Sequence, residues 1–112
     1  MDIARAIERF RSPPLAGEYG EAMVTVLELC RDVLSPLDLH WSTSHHFLWL
    51  SKPGGDRGIR VYIDSTMVDF AFHENWEDGV FFRTREERIR CGIANAQSAM
   101  IELINRLGPA KA

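Results

Sequence analysis

The sequence predicts an α+β fold, in which helices pack on one face of an antiparallel sheet. Apolar residues recur every three or four positions over residues 18–34 and again over 85–107, whereas they occur in short alternating runs between 39 and 83. The first spacing indicates helices and the second indicates strands. The predicted order is two N-terminal helices, an antiparallel β-meander of four to five strands, and a long C-terminal helix packed on one sheet face.

The length and composition are typical of a single globular domain covering residues 1–112. Hydrophobic residues make up 46% of the chain and charged residues 26%, with a formal net charge of −3. This mild negative charge argues against a protein that binds nucleic acid through its phosphates. No apolar run approaches the roughly 18–20 residues that cross a bilayer, and charges interrupt the N-terminal segment. We therefore expect a cytoplasmic protein without a membrane or nucleic-acid partner.

The two N-terminal helices are predicted at residues 2–10 and Glu18–Leu34. Asp2 is placed to cap the first helix, and Ser12-Pro13-Pro14 is expected to end it. The second helix carries a regular apolar stripe. Its members are Met23, Val26, Leu27, Cys30, Val33 and Leu34.

The middle of the chain changes to β-branched and aromatic residues in short runs, which favour strands. The predicted strands are 39–43, 46–51, 59–65, Met67–His73 and 80–83. The loop at 52–58, KPGGDRG, contains one proline and three glycines and is expected to connect two strands as a hairpin. A phosphate-binding loop would need a different glycine spacing and a helix after it.

A switch in side-chain parity predicts a tight hairpin centred on Ser65-Thr66. The apolar residues before this point are odd-numbered and those after it are even-numbered. A hairpin would pair them and place all six on one face. The expected pairs are Ile63 with Val68, Val61 with Phe70, and Ile59 with Phe72. The opposite face would carry Arg60, Tyr62, Asp64, Asp69, Ala71 and His73.

The C-terminal helix is predicted over residues 85–107. Thr84 and Glu87 stand at the spacing of a capping box, and Gly108-Pro109 follows the last apolar position. A helix of this length would measure about 34 Å at 1.5 Å per residue. Its apolar positions are Ile89, Ile93, Ala96, Met100, Leu103 and Leu107.

Three histidines suggest a metal site, which we treat as the alternative hypothesis. His40, His46 and His73, with the Asp64/Asp69 pair, supply ligand types that zinc or iron accepts. However, no two histidines stand at a recognised ligand spacing on a strand or a helix. The sequence therefore predicts no metal and no cofactor, and these histidines are interpreted as half-exposed strand residues.

The cysteines do not indicate catalysis. Cys30 lies on the apolar stripe of the second helix and is expected to be an inert core thiol. Cys91 is flanked by Arg88 and Arg90, which would favour its thiolate if they lay beside it. No nucleophile motif accompanies either thiol. The excess of arginine over lysine, 11 to 2, hints at a bacterial source.

The surplus of aromatic side chains favours a protein-protein interface. Trp41, Trp49 and Tyr62 cannot all be assigned to the core, and Arg60 shares the outer face with Tyr62. Exposed aromatic and arginine residues are typical of interface hot spots. They also resemble a stacking platform for single-stranded nucleic acid, which the acidic balance disfavours.

The sequence therefore predicts a small, cytosolic, non-enzymatic protein-protein interaction module that self-associates or binds a second protein. An antitoxin, immunity or chaperone-like accessory role would fit. The alternative is a small metal- or ligand-binding enzyme that uses the histidines and the Asp64/Asp69 pair.

Overall fold

The computed structural model describes residues 2–44, 46–54, 56–74, 76–77, 80–81 and 86–108. Within these ranges the helices are α1 (Ile3–Phe10), α2 (Glu18–Leu34) and α3 (Ala96–Leu107), the last preceded by a 3₁₀ turn at Ile93–Asn95. The strands are β1 (His40–Ser44), β2 (Phe47–Ser51), β3 (Gly58–Asp64), β4 (Met67–His73), β5 (Trp76–Glu77), β6 (Val80–Phe81) and β7 (Glu86–Gly92).

The main sheet has five antiparallel strands in the order β1-β2-β3-β4-β7. Strands β5 and β6 pair only with each other and form a small separate ribbon. With two helices before the sheet and one after it, the α+β fold class predicted from the sequence is confirmed.

The hairpin of β3 and β4 has the predicted register. Ile63 pairs with Val68, and the two pairs beyond it, Val61 with Phe70 and Ile59 with Phe72, follow in step. The connection is the two-residue turn Ser65-Thr66, in which Ser65 adopts a positive φ of 58°. A positive φ at the first central residue matches the type II′ pattern and lets the strands twist together.

The inner face of the sheet and the three helices enclose one hydrophobic core. Leu48 and Leu50 of β2 are fully buried there, as the parity of that strand requires. The largest side chains buried in this core are Phe10, Phe70, Met23, Leu27, Leu34, Leu48, Leu50, Ile59, Met100 and Leu103. The core side of β2, β3 and α2 therefore agrees with the sequence pattern.

The predicted helix over 85–107 is wrong in its first third. Residues 86–92 form strand β7, which pairs with β4 along its whole length, and α3 starts only at Ala96. Ile89 and Cys91 face the core, while Arg88 and Arg90 alternate with them on the other face, so the segment has a period of two. Pairing with the free edge of β4 overrides the helix propensity of the glutamates and arginines.

Glu87 lies within β7, so it does not form the capping box predicted at the start of that helix. Thr84 falls outside the described residues. The strand predicted at 80–83 is observed as Val80–Phe81 and belongs to the small ribbon rather than to the main sheet. Residues 82–83 lie beyond the described part of the chain.

Helices α1 and α2 approach each other closely at Gly20. A Cβ atom at this position would lie 2.1 Å from the carbonyl oxygen of Phe10 and 2.5 Å from that of Leu15. Because both neighbours are backbone atoms, only a residue without a side chain fits. Gly20 therefore fixes how near the loop after α1 comes to α2.

Tyr19 joins α2 to the end of the β2-β3 ladder. Its hydroxyl donates to the carbonyl of His46 and accepts from the backbone N–H of Ile63, 3.3 Å away. The β2-β3 register would place these two backbone groups opposite each other in the next pair. The hydroxyl therefore bridges a ladder position that the strands leave open, and burial raises the pKa of Tyr19 to about 12.

Hydrogen bonds and an ion pair hold both ends of α3 against the rest of the molecule. Arg57, in the β2-β3 loop, donates to the carbonyl of Arg106 over 2.9 Å, and Arg106 pairs with Glu87 of β7. At the other end, Gln97 donates to the carbonyl of Leu29 in α2 over 2.9 Å. Among the described residues, no helix is long and apolar enough to cross a membrane.

Candidate functional site

The outer face of the sheet, opposite the core, carries three aromatic rings, of which the Phe47 ring contacts the other two. Phe47 and Trp49 alternate with the buried leucines of β2, and Tyr62 alternates with the buried residues of β3. The ring centroid of Phe47 lies 5.1 Å from that of Tyr62 and 6.3 Å from that of Trp49. All three side chains are half-buried, so part of each ring remains on the surface.

Arg60 lies on top of these rings. The β2-β3 register places it opposite Trp49. Its guanidinium carbon is 5.0 Å from the Phe47 centroid and 5.7 Å from the Trp49 centroid, within the range of a cation-π interaction. This arrangement joins one positive charge to an apolar surface.

Charged residues continue the same face toward β7. Asp69 of β4 lies beside Tyr62, and Arg88 and Arg90 of β7 are exposed. Arg90 also forms an ion pair with Asp64, with 3.0 Å between nitrogen and oxygen. We call the following set the outer-face patch: Phe47, Trp49, Arg60, Tyr62, Asp69, Arg88 and Arg90.

The far end of the outer face is buried rather than open. His73 is 3% exposed and Ser51 is 5% exposed. The His73 ring contacts that of Trp49, with centroids 5.7 Å apart. The accessible part of the face is therefore the half that carries the outer-face patch.

Trp41, which the sequence grouped with Trp49 and Tyr62, lies elsewhere. It pairs with Leu50 across β1 and β2, and so it shares the inner face with that leucine. Its side chain is 6% exposed and belongs to the hydrophobic core. The three other predicted interface residues, Trp49, Arg60 and Tyr62, do lie together.

The histidines of the alternative hypothesis are not brought together. His40 and His73 lie in one row across the sheet but are separated by the two central strands, a distance of about 14 Å at ~4.8 Å per strand. His46 lies at the opposite end of β2, roughly 17 Å along the strand at ~3.4 Å per residue. A shared metal ion would need all three within about 2 Å of it.

The aspartates of that hypothesis also lie away from His73. Asp69 is four residues from His73 along β4, about 14 Å at ~3.4 Å per residue. Asp64 pairs with Arg90 instead. Among the described residues no group of three or more histidine, cysteine, aspartate or glutamate side chains is arranged to hold a metal ion.

The two thiols face the core side of the molecule. Cys30 is fully buried, and burial, with a smaller effect of nearby Cys91, raises its pKa to about 11. Cys91 is half-buried in β7, and burial raises its pKa as well. Arg88 and Arg90 occupy the opposite face of β7, so they do not activate this thiol as their position in the sequence suggested.

A cleft beside α1 has no counterpart among the motifs of the sequence. It lies between α1, the loop after α1 and the turn end of the β1-β2 hairpin. Its lining residues come from three separate segments and form no motif. They are Arg5, Glu8, Arg9, Ser12, Pro13, Pro14, Leu15, Thr43 and His46.

No protein-family model matches the chain, and the comparisons with the curated proteins and with the solved structures give no significant match.

Proposed function

We propose that this protein is a non-enzymatic interaction module that self-associates. The outer-face patch of one copy binds the outer-face patch of a second copy. The observation that carries the proposal is the stack of Arg60 on Phe47 and Trp49, on a sheet face whose apolar side chains are only half-buried. Aromatic and arginine residues dominate the binding energy of protein interfaces. The antitoxin, immunity and chaperone-like roles considered above would each require a protein-binding surface.

The distribution of charge on the patch supports a second copy as the partner. Aromatic rings lie on β2 and β3 at one side, and the exposed arginines lie on β7 at the other. A symmetric dimer needs a surface that is complementary to itself, because each residue of a contact also supplies the reverse contact. Rings on one side and guanidinium groups on the other meet that requirement.

The register defines one arrangement of the dimer. A two-fold axis parallel to the strands, between β3 and β4, would place β2 of one copy over β7 of the other, with the sheets about 10 Å apart. Trp49 would then meet the partner's Arg88, and Phe47 would meet the partner's Arg90. Tyr62 would meet the partner's Asp69, whose carboxylate accepts a hydrogen bond from the phenol.

The arrangement of the polar residues supports a binding role over a catalytic one. The histidines and aspartates of the alternative enzyme hypothesis lie in separate parts of the sheet. Catalysis needs these groups within hydrogen-bond reach of one another. We expect the module in the cytoplasm, where its two thiols remain reduced.

Sedimentation equilibrium over a hundredfold range of protein concentration tests the proposal. The wild type is expected to dimerise, and R88E/R90E is expected to weaken the dimer by at least tenfold, since it replaces two ring-facing cations with anions. W49E should act in the same direction. Far-UV circular dichroism and the urea midpoint show whether each variant is folded.

A control surface is available on the helical side of the molecule. Leu29 of α2 and Ile101 of α3 are exposed large apolar residues, 40% and 42% accessible. L29E and I101E are expected to leave the dimer intact. A monomeric wild type would refute self-association, and a dimer lost in I101E but retained in R88E/R90E would place the interface on the helices instead.

A further inference from the structure

The cleft beside α1 has the size of a small-molecule site. Its volume is about 1080 Å³, slightly above the range of roughly 300–1,000 Å³ that ligand pockets occupy. One wall is α1, another is the Pro13-Pro14 segment, and Thr43 and His46 form the third. None of the outer-face patch residues is among those that line the cleft.

One face of α1 supplies the charged wall. Arg5, Glu8, Arg9 and Ser12 stand at positions i, i+3, i+4 and i+7, which lie on one side of a helix. The opposite side of α1 is buried in the core through Ile3, Ala6, Ile7 and Phe10. The helix therefore has a fixed rotation that directs the charged stripe toward the cleft.

The two arginines of this stripe carry positive charge that the described part of the chain does not neutralise. Within that part, the guanidinium groups of Arg5 and Arg9 form no ion pair. Like charges four residues apart on a helix repel each other slightly. Glu8 offsets one of the two charges, which leaves one positive charge in excess along the wall. An anion between the guanidinium groups would relieve this repulsion.

The rest of the lining is suited to the body of an organic molecule. Leu15 is buried at the floor with 7% of its surface accessible, and the two proline rings stand beside it. On the opposite wall, Thr43 and His46 add a hydroxyl group and an imidazole. A few convergent polar groups over an apolar floor are typical of small-molecule sites.

We propose that this cleft binds a small organic anion, with a phosphate or carboxylate group held by Arg5 and Arg9 and an apolar body against Leu15 and the prolines. The guanidinium fork matches the geometry of both anionic groups. Inorganic phosphate alone would leave most of the cleft empty, so the apolar body contributes to binding. Glu8 opposes the anion and limits the affinity.

The test is an NMR titration of the full-length ¹⁵N-labelled protein with phenyl phosphate, benzoate and inorganic phosphate in parallel. Amide signals of Leu15, Thr43 and His46 are expected to shift with phenyl phosphate or benzoate, which also distinguishes the two anionic groups. Either aromatic anion should bind at least tenfold more tightly than inorganic phosphate, because only it contacts the apolar floor.

Four variants with matched charge changes separate a site from general electrostatics. R5Q and R9Q should each weaken binding about tenfold, the loss expected for one charge-assisted hydrogen bond. E8Q should strengthen it. R11Q removes the same charge just beyond α1, outside the lining, and should have no effect.

The proposal is overturned if neither aromatic anion shifts these signals, or if inorganic phosphate binds as tightly as they do. It is also overturned if R11Q weakens binding as much as R5Q and R9Q, since the effect would then follow net charge alone. Circular dichroism of each variant confirms folding, and none of the four side chains is buried.

Discussion

Replacing Gly20 by alanine should destabilise the protein through a single added methyl group. The new Cβ would lie 2.1 Å from the carbonyl oxygen of Phe10 and 2.5 Å from that of Leu15. An ordinary carbon-oxygen contact is about 3.3 Å, so the backbone after α1 must retreat by about 1 Å. Tightly packed interiors resist such a shift.

The expected cost of G20A is at the upper end of the range for overpacking, about 3 kcal/mol, because both clashing atoms belong to the backbone. The gain in helix propensity on replacing glycine by alanine returns up to about 1 kcal/mol. The net loss of roughly 2 kcal/mol corresponds to a fall in Tm of about 8 °C for a domain of this size. Urea denaturation followed by circular dichroism gives the free energy of unfolding directly.

Gly92 provides the matched control. A Cβ at that position meets no atom within 4 Å, and its φ of −67° suits any residue. G92A should therefore be neutral or slightly stabilising in the same assay. A G20A variant as stable as the wild type would refute the close approach of the loop to α2, and equal losses in the two variants would show that the clash is not the cause.

Three further predictions concern the turn, Tyr19 and the thiols. S65G should raise the free energy of unfolding by about 0.5–1 kcal/mol, because glycine adopts the positive φ of Ser65 without strain. A lower free energy of unfolding in urea denaturation would contradict that geometry. T66G, at the neighbouring position of the turn, is the control. Y19F should lower the free energy of unfolding by about 1–2 kcal/mol, since the N–H of Ile63 and the carbonyl of His46 lose their shared partner. The neutral phenol of Tyr19 contributes stability that is fully present below pH 10 and is lost as the pH rises through about 12, because its folded pKa is the higher one. The wild type should therefore lose more stability than Y19F between these pH values, and parallel losses would show that Tyr19 does not titrate in this way. Iodoacetamide at pH 8 should label Cys91 before Cys30, whose thiol is buried with a pKa of about 11; mass spectrometry of peptides that shows Cys30 labelled first would refute this.

The sequence predicts those parts of the fold in which local pattern and tertiary contacts agree. The parity change around Ser65-Thr66 predicts the register of β3 and β4, because a two-residue turn at this point places all six apolar residues on one face. The apolar stripe of α2 likewise identifies its buried side. In both elements the periodicity alone contains the answer.

The start of α3 is missed because the sequence supports two periods at once. Ile89 and Ile93 fit a helical spacing with Ala96 and Met100, and the glutamates and arginines before them favour a helix. The strand becomes preferable only because β4 has an edge to pair, which is information from another part of the chain. A segment whose local propensity opposes its tertiary partner cannot be assigned by pattern.

The candidate sites show the same limit. Arg60 and Tyr62 were placed on the outer face by parity, and Trp49 follows once Leu48 and Leu50 are assigned to the core. Trp41 was grouped with them because the register of β1 against β2 cannot be read from the sequence. The sequence does not predict the cleft beside α1, because Arg5, Leu15 and His46 meet only after the helices pack on the sheet.

Tyr19 connects the two proposed sites. Its ring lies 5.0 Å from that of His46, which lines the cleft, and 5.6 Å from that of Tyr62, which belongs to the outer-face patch. A ligand that repositions His46 would therefore act on Tyr62 through one intervening side chain. Coupling free energies are reciprocal, so a ligand that strengthens the dimer must itself bind the dimer more tightly than the monomer by the same factor. In that case the module would report the concentration of a small anion through its state of assembly.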